Sequence, residues 1–426
     1  MFTNVKDLIA WVENQRRFSP KMSLEKVQAT CEVYGNPQNS FASIHVGGTN
    51  GKGSVTDYLK NIFMESGKNV GTYISPFVTR FNERITYCGK DIGDDDFLKY
   101  GNIVLSKYPN IETNGIELPT FFEFVTLVAF LYFKDQKDLD VVIFEVGLGG
   151  LLDATNVIHP MLSIITNISY DHMNVLGNTL ESIASNKLGI VKPGIDLVSG
   201  VKEDFLRSQF IEHTQKLGSN CRFVDYAQLQ VEEVGFEQTQ FTYKDYSHVK
   251  LAMLGAHQAE NASLVLEAIE ILNVKSNFNL TKEICIRGLE RTHWAGRLEI
   301  VHKDPIVILD GAHNLDGVKR LSEFIASVKG KSWIKLVFAV SADKEKEKMI
   351  RQLEPVVDEI VFTQFVYDRS DKAGILYDLS IHPNKSLNFN LDEIVDEVCK
   401  ETEKIVIFTG SLYFISEIRP KFLNQQ

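Results

Sequence analysis

Four short runs in the first half of the chain are apolar at nearly every position: SIHVGG (43–48), VGTYIS (70–75), VVIFEVG (141–147) and LSIITNI (162–168). A strand without polar alternation is covered on both faces, the condition of a central strand in a parallel sheet. Between these runs lie helix-like stretches such as VTDYLKNIFMES (55–66) and FFEFVTLVAFLYF (121–133). Strand–helix alternation of this kind predicts an α/β fold with helices on both sides of a parallel sheet. A second series begins near residue 305, with PIVILDG, IKLVFAV, EIVFTQF and KIVIFTG separated by helical segments. Between the two series, RTHWAGRLEIVHKD (291–304) is mixed in polarity and has no clear period. The domain boundary is expected there, giving 1–297 and 298–426. Alternating aromatic and β-branched residues in CRFVDY and QFTYKDY predict a smaller antiparallel piece within 201–250.

The length of 426 residues agrees with two or three domains. The apolar share of 44% and charged share of 24% are those of an ordinary globular chain. Net charge is −11, which disfavours non-specific nucleic-acid binding but leaves room for local anion sites. Five scattered cysteines without a CxxC pair fit a reducing, cytoplasmic setting better than a disulfide framework. The N-terminal stretch has no apolar core of a signal peptide, and no apolar run approaches the ~18 residues that span a bilayer. The short charge runs DIGDDD (91–96) and DKEKEK (343–348) read as solvated turns or helix faces.

The segment GGTNGKGS (47–54) lies between an expected strand and an expected helix, the context of a phosphate-binding loop. It departs from the usual spacing. Val46 stands where the first glycine belongs, and Gly53 separates Lys52 from Ser54. The chemistry nonetheless suits an anion: small residues let backbone N–H groups converge, and the following helix adds its positive end. Lys52 can reach terminal phosphates, and a hydroxyl at Ser54 can reach Mg²⁺.

Polar residues collect at the ends of the apolar runs. Glu145 closes VVIFEVG, where a parallel-sheet enzyme can hold Mg²⁺. GLGG then bends the chain toward Asp153 and Asn156, and NISYDH places His172 at the same expected edge. ESIASNKLGIVKPG (181–194) reads as a helix with a Pro-Gly stop. Its Lys187 reads by itself as a surface lysine, since a cation is repelled by Mg²⁺. GAHQAENA sets His257 and Asn261 on one helical face. In the second series, LDGAHN ends with Asp310, His313 and Asn314, and FTGSLYF carries Thr409, Gly410 and Ser411.

Taken in order, HVGGTNGKGSV, SPF…FNERI, FEVGLGG, LDATN, the DH…LG…TLE…K…GI…KPG run, G-HQ…NA, W-GRLE, DGAHN and TGSLYF resemble the folylpolyglutamate synthase and dihydrofolate synthase group of the Mur ligase superfamily. The resemblance runs from about residue 40 to 418, and the extra glycine of GTNGKGS is that group's own form. It implies a Mur-ligase-like P-loop ATPase domain, a smaller Rossmann-like C-terminal glutamate-ligase domain, and a cleft between them. It implies ATP-dependent addition of L-glutamate to the γ-carboxylate of (tetrahydro)folate through an acyl phosphate.

By matching motifs, Thr49, Asn50, Gly51, Lys52, Gly53, Ser54, Asn261, Arg297 and Asp310 would contact ATP. Ser54, Ser75, Glu145, His172 and Lys187 would serve two Mg²⁺ sites, Lys187 as a carbamate. Lys187, His172, Glu145 and Lys52 would carry the catalysis. Ser75, Pro76, Phe77, Arg84, Asp153, His313 and Ser411 would meet folate or glutamate, and SPFVTRFNERI (75–85) matches a mobile loop over folate. The resemblance further implies a cytoplasmic monomer whose partners are small molecules, with no nucleic acid and no membrane.

Two departures from the group's pattern are Leu151, where arginine is common, and Asn186 with Leu188, where glutamate and alanine are common. The alternatives are a bifunctional enzyme that also joins glutamate to dihydropteroate, a cell-wall Mur ligase, and a non-catalytic nucleotide-binding regulator. A cell-wall ligase is disfavoured because the phosphate loop begins too near the N-terminus. A regulator is disfavoured by the presence of Lys52, Glu145 and His172.

Overall fold

The computed structural model describes residues 1–16, 23–276, 278–367, 369–402 and 404–423. Two compact units are present, one of residues 1–225 with 261–288, the other of 226–260 with 289–426.

The first unit is built on β1 (Ser43–Gly47), β2 (Val70–Tyr73), β3 (Ile85–Tyr87), β4 (Lys90–Asp91), β5 (Val141–Glu145), β6 (Leu162–Ile165), β7 (Leu197–Ser199) and β8 (Cys221–Phe223). They form one sheet in the order β4-β3-β2-β5-β1-β6-β7-β8. The strands from β2 to β8 in that order run parallel, and β3 and β4 add an antiparallel edge. All five residues of β1 and of β5 are buried, as strands covered on both faces require. The helix Phe121–Lys134 opens on a capping box, in which Thr120 and Glu123 satisfy each other's backbone N–H. It is apolar nearly all round and correspondingly buried from Phe124 to Phe133. Phe130 and Phe133 meet Phe41 and Phe144 of β5, with ring centroids 5.4–6.4 Å apart. The acidic run DIGDDD becomes the start of the helix Asp94–Ser106, its three aspartates favourably placed in the first turn.

In-register pairing decides where the chemistry goes. Val46 of β1 lies opposite Glu145, Gly47 opposite Ile165, and Tyr73 of β2 opposite Phe144. The segments after β2, β5, β1 and β6 therefore leave the sheet at one edge, in neighbouring positions.

The second unit holds the antiparallel sheet β9 (Leu229–Val234), β10 (Thr239–Tyr243) and β11 (Tyr246–Leu251). It also holds a six-stranded sheet of β12 (Glu299–Lys303), β13 (Ile306–Asp310), β14 (Trp333–Phe338), β15 (Glu359–Phe362), β16 (Lys385–Leu387) and β17 (Lys404–Thr409), in the order β12-β13-β17-β14-β15-β16. Only β12 is antiparallel in that sheet.

Two expectations are corrected, and one segment without a clear pattern is resolved. CRFVDY does not join the antiparallel piece, because β8 extends the first sheet beside β7. The segment 299–303 is a strand despite its irregular pattern. It sits at the sheet edge, and a register shift between Ile300 and His302 breaks the two-residue period. The division is not a single cut near 298. Residues 226–260 belong with the second unit, where Phe236 packs edge-on against Phe324 at 6.1 Å. Such a contact, almost ninety positions apart in sequence, leaves no trace in a local pattern. Among the described residues no helix is long and apolar enough to cross a membrane.

Candidate active site

The loop between β1 and the helix Lys52–Glu65 owes its shape to two glycines. Gly48 has φ 138°, and a Cβ there would lie 1.8 Å from Thr166 Oγ1. Gly51 has φ 84°, and a Cβ there would lie 2.6 Å from Asn261 Oδ1. Neither backbone admits a side chain. Gly51 is the N-cap and its carbonyl accepts from Val55 N–H at 2.9 Å, so the helix begins directly at the loop. The amides of its first turn have no intrahelical acceptor and form the positive end of the helix dipole.

Not every loop amide points into that concavity. Thr49 N–H donates to the carbonyl of Asn167 at 3.0 Å, and Asn50 N–H to Asn167 Oδ1 at 2.8 Å. The Thr166 hydroxyl donates to the Asn50 carbonyl at 2.6 Å. Thr49 Oγ1 donates to Ser169 O at 3.2 Å and accepts from Ser169 N–H at 3.0 Å. The candidate anion nest thus begins at Gly51, two residues later than a loop running from Thr49 to Ser54 suggests. Sequence reasoning passed over Thr166, Asn167 and Ser169, although the polar run TNIS directly after an apolar strand was a signal for them.

Lys52 folds back on its own loop, donating to Gly48 O at 3.3 Å and Thr49 O at 3.1 Å. Lys187 Nζ donates to the same Gly48 carbonyl at 2.8 Å. Lys187 is not a surface lysine: only 3% of it is exposed. Burial, reinforced by the Lys52 charge, brings its pKa down to about 7, while Asp171 and Asp153 pull the other way. An aliphatic stem packed into a helix otherwise rich in buried positions produced this outcome, which a polarity pattern could not reveal.

Glu145, 5% exposed, ends β5, and one carboxylate oxygen accepts from Ser75 N–H at 3.4 Å. Ser75 precedes Pro76 and Phe77 in the loop 75–85. The Glu83 carboxylate organises that loop by accepting from Val78, Thr79 and Arg80 N–H at 2.9–3.2 Å. Arg84 is buried, its guanidinium carbon 5.1–5.4 Å from the ring centroids of Phe77, Phe81 and Phe121. His172 has φ 49° and caps the short helix Met173–Leu176, with 41% of its side chain exposed. Its Nε2 is 3.9 Å from Asp171 Oδ1. Asp171 is a further residue that the sequence reading did not single out.

Asp153 is buried and holds its own turn. It accepts from Leu148 N–H at 2.8 Å, Thr155 N–H at 3.0 Å and the Thr155 hydroxyl at 2.5 Å. The two unusual positions meet: Leu151 N–H donates to Asn186 O at 2.8 Å, and Leu151 is 47% exposed.

In the second unit, Asp310 ends β13 and accepts from Leu298 N–H and Ala312 N–H, each at 3.0 Å. The Arg297 guanidinium lies across Gly311, where a Cβ would be 2.7 Å from Nη1. His313 donates from Nδ1 to Gly311 O at 2.8 Å, which leaves Nε2 as the unprotonated nitrogen of the neutral ring. Asn314 caps the helix Leu315–Val328. Ser411 follows β17, and its Oγ accepts from Tyr413 N–H at 3.2 Å. Parallel pairing sets Asp310 opposite Thr409, so these segments also share a sheet edge.

Among the described residues no three His, Cys, Asp or Glu side chains form a metal-binding group. Mg²⁺ needs no such group, because it binds through one or two carboxylates, water and substrate phosphates. Glu145, on the strand next to the loop-bearing β1 and bonded to the Ser75 N–H, meets that description.

A glycine-shaped loop at a helix N-terminus on a parallel sheet, with a second α/β unit, is the arrangement of Mur-type ligases, ATP-dependent enzymes that form carbon–nitrogen bonds, and the chain's relatives bear out that class. Residues 98–269 match the family model of the Mur ligase middle domain, and residues 296–412 that of the Mur ligase glutamate ligase domain. The dihydrofolate synthase/folylpolyglutamate synthase of Bacillus subtilis is 37% identical over 99% of this chain and 100% of its own. The folylpolyglutamate synthase of Thermotoga maritima superposes with a TM-score of 0.86 at 28% identity, over 99% of this chain and 97% of that one. E. coli FolC in complex with DHPP and ADP gives 0.88 at 25% identity, over 99% and 98%. The chain belongs to the folylpolyglutamate synthase/dihydrofolate synthase group of the Mur ligase superfamily.

Proposed function

We propose that the chain is a folylpolyglutamate synthase, using ATP to add L-glutamate to the γ-carboxylate of (tetrahydro)folate. The observation that carries this reading is the loop 48–54, which leads into a helix N-terminus and where Lys52 and buried Lys187 converge on the Gly48 carbonyl, with Glu145 in register on the neighbouring strand.

In this reading the amides from Gly51 to Ser54 hold the phosphates, and Lys52 leaves the Gly48 and Thr49 carbonyls to reach the transferring group. Thr49 and Asn50 keep the loop in shape, while Asn261, set against Gly51, Arg297 and Asp310 contact the nucleotide. Ser54, Ser75, Glu145, His172 and Lys187 would hold Mg²⁺, which would neutralise phosphate charge when bound. Lys187 can do so only as a carbamate. A pKa near 7 leaves a large neutral fraction at neutral pH, and the neutral amine attacks CO₂ and loses one proton to give –NH–COO⁻.

Transfer of the γ-phosphoryl group to the folate carboxylate gives an acyl phosphate. The amine of the incoming glutamate then displaces phosphate and forms the amide. Phe77, backed by the buried Arg84 guanidinium, gives the loop an aromatic and cationic character suited to a pterin and its acidic tail, with Ser75, Pro76 and Asp153 shaping that side. His313 and Ser411 receive glutamate. The working form is a monomer of two parts, an ATP-binding part and a glutamate-ligase part.

The test is phosphate release from ATP with glutamate and Mg²⁺, supplied with a reduced folate monoglutamate, with dihydropteroate, or with no pterin. Turnover with the reduced folate is expected. Turnover also with dihydropteroate would make the enzyme bifunctional, as the name of the Bacillus subtilis relative describes that protein. No pterin-dependent turnover would overturn the reading.

A further inference from the structure

We infer that Asn167, together with the Thr49–Ser169 pair, is a positioning clamp that holds the phosphate loop in the arrangement that binds nucleotide. The inference rests on the loop 48–54 being the phosphate site. Five hydrogen bonds join Thr49 and Asn50 to the segment 166–169, and every one is 3.2 Å or shorter. Asn167 alone takes two consecutive loop amides, one on its side-chain oxygen and one on its carbonyl. A glycine-flanked loop is floppy by itself: Gly47, Gly48, Gly51 and Gly53 lose more backbone entropy on ordering than any other residues. Spending the Thr49 and Asn50 amides on Asn167 removes them from the anion nest, and in return holds Gly51–Ser54 in one arrangement before nucleotide arrives. Thr166 completes the clamp from the other side, since its hydroxyl fills the space that a Cβ on Gly48 would need. The segment is continuous with β6, whose residue Ile165 pairs with Gly47, so the clamp is anchored in the sheet.

Asn167→Leu keeps the volume and removes the side-chain acceptor. Thr49→Val keeps the shape and removes the hydroxyl, and Thr49→Ser keeps the hydroxyl. Calorimetric titration with ADP is expected to show dissociation constants raised about tenfold for Asn167→Leu and for Thr49→Val, the equivalent of one or two lost hydrogen bonds. Thr49→Ser should bind ADP like the wild type. A merely structural role would instead lower thermal stability and weaken the pterin substrate's KM alongside ADP, so unchanged melting temperature and pterin KM are part of the expected result. ADP affinity unaltered in Asn167→Leu overturns the clamp. Lys52→Ala separates the two levels. If it too binds ADP normally, the reading of the loop fails. If it binds weakly while Asn167→Leu does not, the clamp alone fails.

Discussion

Glu83 is the sharpest test of the loop 75–85. Its two carboxylate oxygens accept from three successive amides, those of Val78, Thr79 and Arg80, at 2.9–3.2 Å. Glu83→Gln preserves size but replaces one acceptor oxygen with an NH₂ group that faces N–H donors. The remaining oxygen can serve two of the amides, and at least one loses its partner. Hydrogen bonds to a charged group contribute about 1.5–3 kcal/mol, so the opening free energy of this segment should fall by about 2 kcal/mol. That corresponds to roughly thirtyfold faster hydrogen exchange at Val78–Arg80. The same loop carries Phe77 and the buried Arg84 behind it, so KM for the folate substrate should rise while ADP affinity stays at the wild-type value. The assay is amide exchange by mass spectrometry on the free enzyme, paired with steady-state kinetics. Unchanged protection of residues 78–80 would refute the view that the carboxylate holds the loop.

Three further outcomes follow from other parts of the structure. Lys187→Ala is expected to abolish ligation, with partial rescue by a short carboxylate plus Mg²⁺; wild-type phosphate release would remove Lys187 from the site. Gly48→Ala should lose ADP binding by more than a hundredfold, roughly the cost of a displaced loop. Adding Thr166→Ala should not restore it, because φ 138° and the Thr166 backbone nitrogen at 3.0 Å remain; recovery in the double variant would disprove the backbone argument. His45 on β1 is fully buried, and its Nε2 is 2.8 Å from the Thr155 hydroxyl. Burial first, then the Lys192 charge, holds its pKa at about 3. Above pH 6.5 it is neutral folded or unfolded and adds no pH dependence. Between 6.5 and about 3 only the unfolded chain takes the proton, so stability falls by about 1.4 kcal/mol per pH unit. The stability gap between wild type and His45→Gln should therefore narrow by about 2 kcal/mol from pH 6.5 to 5 in urea titrations. A constant gap would show that His45 does not titrate in this way.

Much of the fold, and the strand ends where the candidate site lies, could be read directly, and the reason is local. Apolar runs broken by glycine and polar residues mark buried parallel strands and their ends, so β1, β5, β6, β13 and β17 and the residues that follow them were visible as patterns. The order of the motifs carried the family, because each motif is a contiguous string. Glu145 and Lys52 could be singled out because each stands at the junction of two recognisable elements.

What only tertiary structure decided depends on contacts between distant segments. Lys187 carries a charged head that the sequence pattern assigns to solvent. Its burial and lowered pKa arise because the helix Leu180–Leu188 packs its end beneath the loop and its Nζ finds the Gly48 carbonyl, 139 positions away. The use of the Thr49 and Asn50 amides was likewise invisible, since their acceptor lies more than a hundred residues further on and only the β1–β6 register brings it close. Asp153 shows the reverse: a carboxylate that sequence position offers to substrate is held by its own turn. Periodicity is a property of a chain's neighbours in sequence and so determines elements and their order. Hydrogen-bond partners, burial and ionisation belong to neighbours in space, and those are set only once the sheet has fixed which strands lie side by side.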